Sequence, residues 1–271
     1  MRIVSLCPSN TELLAFMGLT SSIVGVDNYS DWPAEIAGLP RLGSDMDIDI
    51  DAVEALEPDL VVASLTVPGM EKNIEGLKAR NLPYLILNPK SLEDIGRNML
   101  TVGEAANTVE QAQTAKRKYE QMLEHYAELS RRVENRPALY WEWWPKPVYS
   151  PGGGNWLTEI SELAGARNVF ADDARASVKT DLDDVLGRAP DYILLAWVGV
   201  KAQQVKPETV KQRPNWPELA AVRDNRIHIM EEALYCRPSP RLVVGLRKLA
   251  AFLHPDVYPA YDSVSCESGF G

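Results

Sequence analysis

Residues 50–64, IDAVEALEPDLVVAS, and residues 182–196, LDDVLGRAPDYILLA, align without a gap. Asp51 falls on Asp183, Val53 on Val185, and Pro58-Asp59 on Pro190-Asp191. A second pair, TELLAFMG at 11–18 and TEISELAG at 158–165, repeats in the same order. The longer segments each read as a short helix leading into an apolar run, so the chain is expected to contain one α/β unit twice.

Around these segments short apolar runs alternate with helix-period stretches. RIVSL, SIVGV, DLVVA and YLIL lie in the first half, and ALYWE, YILLA and RIHIM in the second. This is the pattern of a parallel sheet, whose strands need crossover connections that helices usually supply. Ser9 with Glu12 has capping-box spacing. Residues 91–136 read as helical, with a break at ANTVEQ where Thr108 and Gln111 have the same spacing. Beyond the break Val109, Ala112, Ala115, Tyr119, Met122, Tyr126, Leu129 and Val133 recur every three or four residues, which predicts one amphipathic helix on the order of 40 Å long. The expected architecture is α/β, with two similar lobes, each a mostly parallel sheet flanked by helices, bridged by one long α-helix. The expected boundaries are 1–90 for the first lobe, 91–136 for the helical region with its connector, and 137–271 for the second lobe and tail.

The chain carries 38 acidic residues against 28 Lys and Arg, a net charge of −10. Nucleic acids and anionic membrane surfaces call for a basic stripe, so neither is expected as a partner. The longest apolar runs are strand-length, too short to insert in a membrane. Met1-Arg2 leads straight into IVSL without a signal-peptide pattern, so a cytoplasmic chain is expected, with an extracytoplasmic, trimmed mature chain as the alternative. Cys7, Cys236 and Cys266 are odd in number, widely spaced and without a CxxC pair, which predicts free thiols in a reducing compartment. A monomer is expected.

Ligands of parallel α/β sheets bind beyond the carboxyl ends of the strands. Here those loops are residues 7–10, 27–32, 64–70, 143–156, 197–199 and 231–237. Of the 7 Trp, Trp32, Trp143, Trp144, Trp156 and Trp197 fall in them, as do Tyr29 and Tyr235. Core tryptophans belong within strands and on helix faces, whereas these crowd beside glycine and proline. Aromatic platforms predict a large, weakly charged organic ligand. Other chemistries fit less well. GGGNW at 152–156 opens a helix but lacks the P-loop and GxGxxG spacings. DMDIDID at 45–51 puts Ile50 and Leu56 where a calcium loop starting at Asp45 needs Gly and Glu. His125, His228 and His254 are scattered, which supports neither a metal site nor a His-based triad.

RIVSLCPSNTELL, VGVDNYSDWP, ALEPDLVVAS, LAGARNVF, APDYILLAW and RPSPRLV stand in an order that resembles the class III substrate-binding proteins of ABC importers, in particular their cobalamin-binding branch. The resemblance runs from residue 2 to about residue 254. It implies a non-catalytic protein that holds a corrinoid, cobalamin or a related cobamide, in a cleft between the lobes for uptake, salvage or intracellular handling. It implies Tyr29 and Trp32 as corrinoid contacts, with Thr66, Met70, Trp143, Trp144, Trp156, Trp197 and Tyr235 on the remaining walls, to which the strand-end loops add Cys7, Ser9 and Arg237 as candidate contacts. It implies an ABC importer permease as partner, docked through one acidic residue on each lobe. Asp51 matches the first, and Cys236 stands where the second is expected. Where some extracytoplasmic relatives carry a disulfide this chain has Ala164 and Ala250, which adds to the intracellular reading. Two alternatives remain at this point. One is a ferric siderophore or haem binder, to which Arg237 and Arg241 could supply cations. The other is a tetrapyrrole-modifying or cofactor-handling enzyme, with Cys7 at a helix N-terminus as its candidate reactive group.

Overall fold

Ile3 to Ser5 form a strand, β1, that is buried along its whole length and stands inside a parallel sheet. In the computed structural model, which describes residues 1–262, it opens the first of two compact units, Met1–Gln121. There follow α1 (Pro8–Phe16), β2 (Ile23–Val26), the small antiparallel pair β3 (Gly43–Ser44) and β4 (Asp47–Ile48), α2 (Ile50–Ala55), β5 (Leu60–Ser64), α3 (Glu71–Ala79), β6 (Tyr84–Leu87) and α4 (Leu92–Ala105). The sheet order is β2-β1-β5-β6. The α5 helix (Val109–Ser130) carries the chain into the second unit, which begins at Met122.

The second unit contains β7 (Ala138–Glu142), β8 (Trp144–Pro145), β9 (Val148–Pro151), α6 (Trp156–Leu163), β10 (Arg167–Asn168), β11 (Ser177–Thr180), α7 (Leu182–Arg188), β12 (Tyr192–Leu195), α8 (Pro207–Lys211), α9 (Ala220–Arg223), β13 (Ile227–Ile229), α10 (Glu232–Tyr235) and α11 (Leu242–Leu253). Its parallel sheet has the order β10-β7-β12-β13. Counted along each unit this is the strand order of the first sheet, and the expected doubled α/β architecture is present. The likeness extends to single bonds. Asp59 accepts from Arg2 N at 2.7 Å, and its counterpart Asp191 accepts from Ala138 N at 2.7 Å. Asp49 caps α2 and Asp181 caps α7. The helix-to-strand turns bend at left-handed residues in aligned positions, Glu57 with φ 46° and Ala189 with φ 45°.

Several local expectations are corrected. The α1 helix starts at Pro8 after Cys7, so Ser9 and Glu12 lie inside it and form no capping box. Thr108 Oγ1 is buried without a hydrogen bond, and Gln111 Nε2 donates to Met17 O at 2.6 Å, so that box is absent too. The box that exists is Ser91 with Asp94 at the start of α4. The α5 helix ends at Ser130, before Val133, and is shorter than the spacing predicts. The antiparallel ribbon β11-β9-β8 was not foreseen. It explains the triple glycine: a Cβ on Gly152, Gly153 or Gly154 would collide with carbonyl oxygens of residues 171–175. The three glycine N–H groups donate to Ala176, Asp173 and Arg175, leaving none to cradle an anion. Cys266 and the tail beyond Asp262, which the sequence reading singled out, lie outside the described residues.

Candidate functional site

In the first unit, the loop after β2 is built on a buried polar chain. Asp27 accepts from Ser30 Oγ and, at 2.7 Å, from Tyr29 N. Ser30 Oγ lies 2.8 Å from Thr11 Oγ1, which donates to Ser5 Oγ at 2.8 Å. Strand β1, helix α1 and the loop are thereby tied together, and the loop holds Tyr29 outward with 56% of its surface exposed. Trp32, in the same loop, is half-buried. In the loop after β5, Thr66 Oγ1 lies 2.9 Å from Ser64 Oγ and is partly exposed. Cys7, Ser9 and Met70, expected on the walls, are buried. Burial pushes the Cys7 thiol up to about 11, and its contact with Ser9 offsets this only in part. The helix N-terminus does not make it a thiolate, which removes the candidate group on which the enzyme alternative rested.

In the second unit the site centres on Glu142, the last residue of β7, which has no exposed surface. Both of its oxygens are filled. Oε1 accepts from Trp197 Nε1 at 3.1 Å and Arg213 Nη2 at 2.8 Å; Oε2 accepts from Tyr140 OH at 2.8 Å and Arg213 Nη1 at 2.6 Å. Burial would lower the Arg213 pKa, and its bonds to Glu142 outweigh that and raise it. The guanidinium also lies over the Trp216 ring, 4.5 Å from the centroid. Burial and the charge of Glu142 hold the Tyr140 phenol well above its usual range, so it stays a donor. Trp197, in the loop after β12, is half-buried against the core of this unit.

Beside this group Trp143 leans on Trp156, with ring centroids 5.8 Å apart. Trp156 is nearly buried and donates from Nε1 to Tyr235 O at 2.9 Å. Trp143 is half-buried, and its Nε1 has no hydrogen-bond partner. Trp144 is 43% exposed and donates to Lys146 O at 3.0 Å, so it does not turn into the core. Tyr235 is fully buried, its hydroxyl donating to Gly245 O at 2.9 Å, which makes it a packing residue of its own unit. Arg237 is not free to meet an anion: its side chain is 10% exposed, with Nε and Nη2 each 3.0 Å from Glu232 Oε2. The histidines serve packing. His254 bonds Gly165 O at 3.0 Å, His228 packs on Phe252, and His125 on Tyr126. Among the described residues no group of His, Cys, Asp or Glu could hold a metal ion.

The pattern of the periplasmic binding proteins matches residues 3–234. The chain belongs to the periplasmic binding protein family. This family is non-catalytic: its members are solute-binding proteins, and the chain has their class III fold. Its sequence is 28% identical to an ABC transporter substrate-binding lipoprotein of Bacillus subtilis, over 95% of this chain and 81% of that one. It is 26% identical to a vitamin B12-binding protein of Vibrio parahaemolyticus, over 89% and 84%. Its fold matches a periplasmic haem-binding protein of Pseudomonas aeruginosa with a TM-score of 0.80 at 23% identity, over 96% and 95%.

These relatives overturn the cytoplasmic expectation, since one is a lipoprotein and another is periplasmic. That expectation rests on the first residues, on unpaired thiols and on Ala164 and Ala250, and unpaired thiols do not mark a compartment here: Cys7 is buried, Cys236 is half-buried, and burial raises both thiols. Cys236, which stands where the resemblance places a second acidic residue, donates its thiol to Ala196 O at 3.2 Å. The counterpart of Asp51 by the internal repeat is Asp183, exposed in the first turn of α7 as Asp51 is exposed in the first turn of α2.

Sequence reasoning did not single out Tyr140, Glu142 or Arg213. One signal was available for Glu142: a carboxylate that ends the otherwise apolar strand ALYWE.

Proposed function

We propose that the chain binds a corrinoid, cobalamin or a related cobamide, as the substrate-binding component of an ABC importer. The observation that carries this reading is the state of the tryptophans in the second unit. The N–H groups of Trp197, Trp156 and Trp144 are engaged by acceptors of the protein and that of Trp143 is buried, so the surface left for a ligand is uncharged ring. A corrinoid, with broad faces and a rim of neutral amides, suits such a surface. On the first unit Tyr29, Trp32 and Thr66 are accessible too, and the similarity to a vitamin B12-binding protein supports the same ligand. An anionic siderophore is disfavoured because Arg237 is already held by Glu232. The second reading is haem, favoured by the exposed Tyr29 phenol, since a tyrosine can ligate haem iron. The visible spectrum of the protein isolated from its source separates the two, through the corrinoid bands or a Soret band.

Asp51 and Asp183 are the proposed docking pair for the permease. Asp51 is paired with Arg80, which also holds Glu54 at 2.5 Å. Asp183 is exposed, and its side chain carries the charge of the matching helix turn.

A further inference from the structure

The four donors that converge on Glu142 do more than bury a charge. A buried ion pair is a weak device for stability, because the cost of desolvating both charges offsets most of their attraction. The internal repeat shows that the fold does not require this one. Strand register sets Ile3 opposite Leu60 and Leu139 opposite Tyr192, and Leu60 aligns with Tyr192, so Leu6 is the counterpart of Glu142. By the same alignment Leu65 is the counterpart of Trp197. The first unit builds the same strand end and loop from two leucines, whereas the second builds it from a carboxylate and an indole. What Glu142 adds is orientation.

The backbone of the Trp197 loop is fixed on both sides, by Ala196 N to Glu142 O at 3.0 Å and Val198 N to Trp143 O at 3.2 Å. Its side chain is fixed by one directional bond, from Nε1 to Glu142 Oε1. The carboxylate is itself held by Arg213, which packs on Trp216, and by Tyr140, whose ring meets Trp216 edge-on with centroids 6.0 Å apart.

We propose that Glu142 is the positioning residue for Trp197: it draws the indole N–H into the protein so that the ring offers its face, and it thereby selects a ligand that meets Trp197 by stacking. This rests on Trp197 being a ligand contact, as argued above. Arg213 and Tyr140 act through Glu142 by fixing its two oxygens.

The test uses the full chain with ¹⁵N-labelled tryptophan, in the unchanged protein, Glu142→Gln, Trp197→Phe and the double variant. Trp197→Phe keeps the Glu142–Arg213 pair and a ring of similar reach, so it reports even if Glu142→Gln folds poorly, and it identifies the Trp197 indole resonance. That resonance is expected to shift and broaden in Glu142→Gln. Each single variant is expected to raise the cyanocobalamin Kd roughly tenfold, and the double variant to match Trp197→Phe within about twofold, because one bond cannot be lost twice. An unmoved indole resonance in folded Glu142→Gln, an unchanged Kd in Trp197→Phe, or losses that multiply in the double variant would each overturn the assignment. If the unchanged protein binds haemin and not cyanocobalamin, the corrinoid reading falls, and the same cycle is read with haemin. If it binds neither, the resonance alone decides the positioning.

Discussion

Trp143 and Trp156 meet at 5.8 Å between ring centroids with their planes inclined by 39°, and the two indoles are not equivalent. Trp156 is 7% exposed and bonded to Tyr235 O, so it is the support; Trp143 is half-buried and is the contact. Trp156→Ala is therefore expected to lower the unfolding free energy by about 3–5 kcal/mol in urea denaturation. Trp143→Ala is expected to destabilise less and to weaken cyanocobalamin binding roughly tenfold to a hundredfold. Equal affinity losses with stability intact in both would contradict this division.

Stability is expected to fall from pH 7 to pH 5 in part through His228. Burial holds its pKa below the usual value of about 6.5, with its ring packed against Phe252 and Tyr192. The folded value lies below the unfolded one, so the unfolded chain takes up the proton first as pH drops. The contribution is complete above about pH 6.5 and is lost as pH falls toward the folded pKa. Urea midpoints of His228→Leu should depend less on pH across this window than those of the unchanged protein. Parallel pH curves for the two would contradict the prediction.

Cys7 and Cys236 are expected to resist iodoacetamide at pH 8 in the native protein and to react fully in urea without reductant. Burial raises both thiols, Cys7 to about 11 and Cys236 well above its usual range, so little thiolate is present to attack. Peptide mass spectrometry locates the label. Fast native labelling of Cys7 would restore a reactive thiol at the head of α1 and contradict its assignment as a buried structural residue.

If Asp51 and Asp183 dock the permease, Asp51→Lys and Asp183→Lys should each slow association with a cobalamin-type permease in nanodiscs by roughly tenfold at low salt, since exposed charges mainly steer encounter. Cyanocobalamin affinity of the free protein should be unchanged. Loss of ligand binding in both variants, with association kinetics unaffected, would contradict the docking role.

The repeat, the alternation of strand and helix, and the boundary at ANTVEQ were legible because each is carried by local periodicity or by a turn residue at a fixed offset. The ribbon β8-β9-β11 was not, since strands as short as Trp144–Pro145 have no period to read. The aromatic loops were legible as a group. Which of their rings face outward was not, because the exposure of Trp144 and the burial of Trp156 depend on acceptors from elsewhere in the chain, Lys146 O and Tyr235 O. Glu142 went unnoticed for the same reason: its partners Trp197 and Arg213 are remote in sequence and meet it only in the folded sheet.

The central claim is that uncharged aromatic surface holds a corrinoid. The most direct measurement is a titration of intrinsic tryptophan fluorescence with cyanocobalamin, haemin and a ferric hydroxamate siderophore, each at low and high ionic strength. Cyanocobalamin is expected to bind most tightly, with an affinity that changes by less than about threefold between the two salt conditions, because stacking and amide contacts are little screened. Tight binding of haemin or the siderophore beside undetectable binding of cyanocobalamin would contradict the claim.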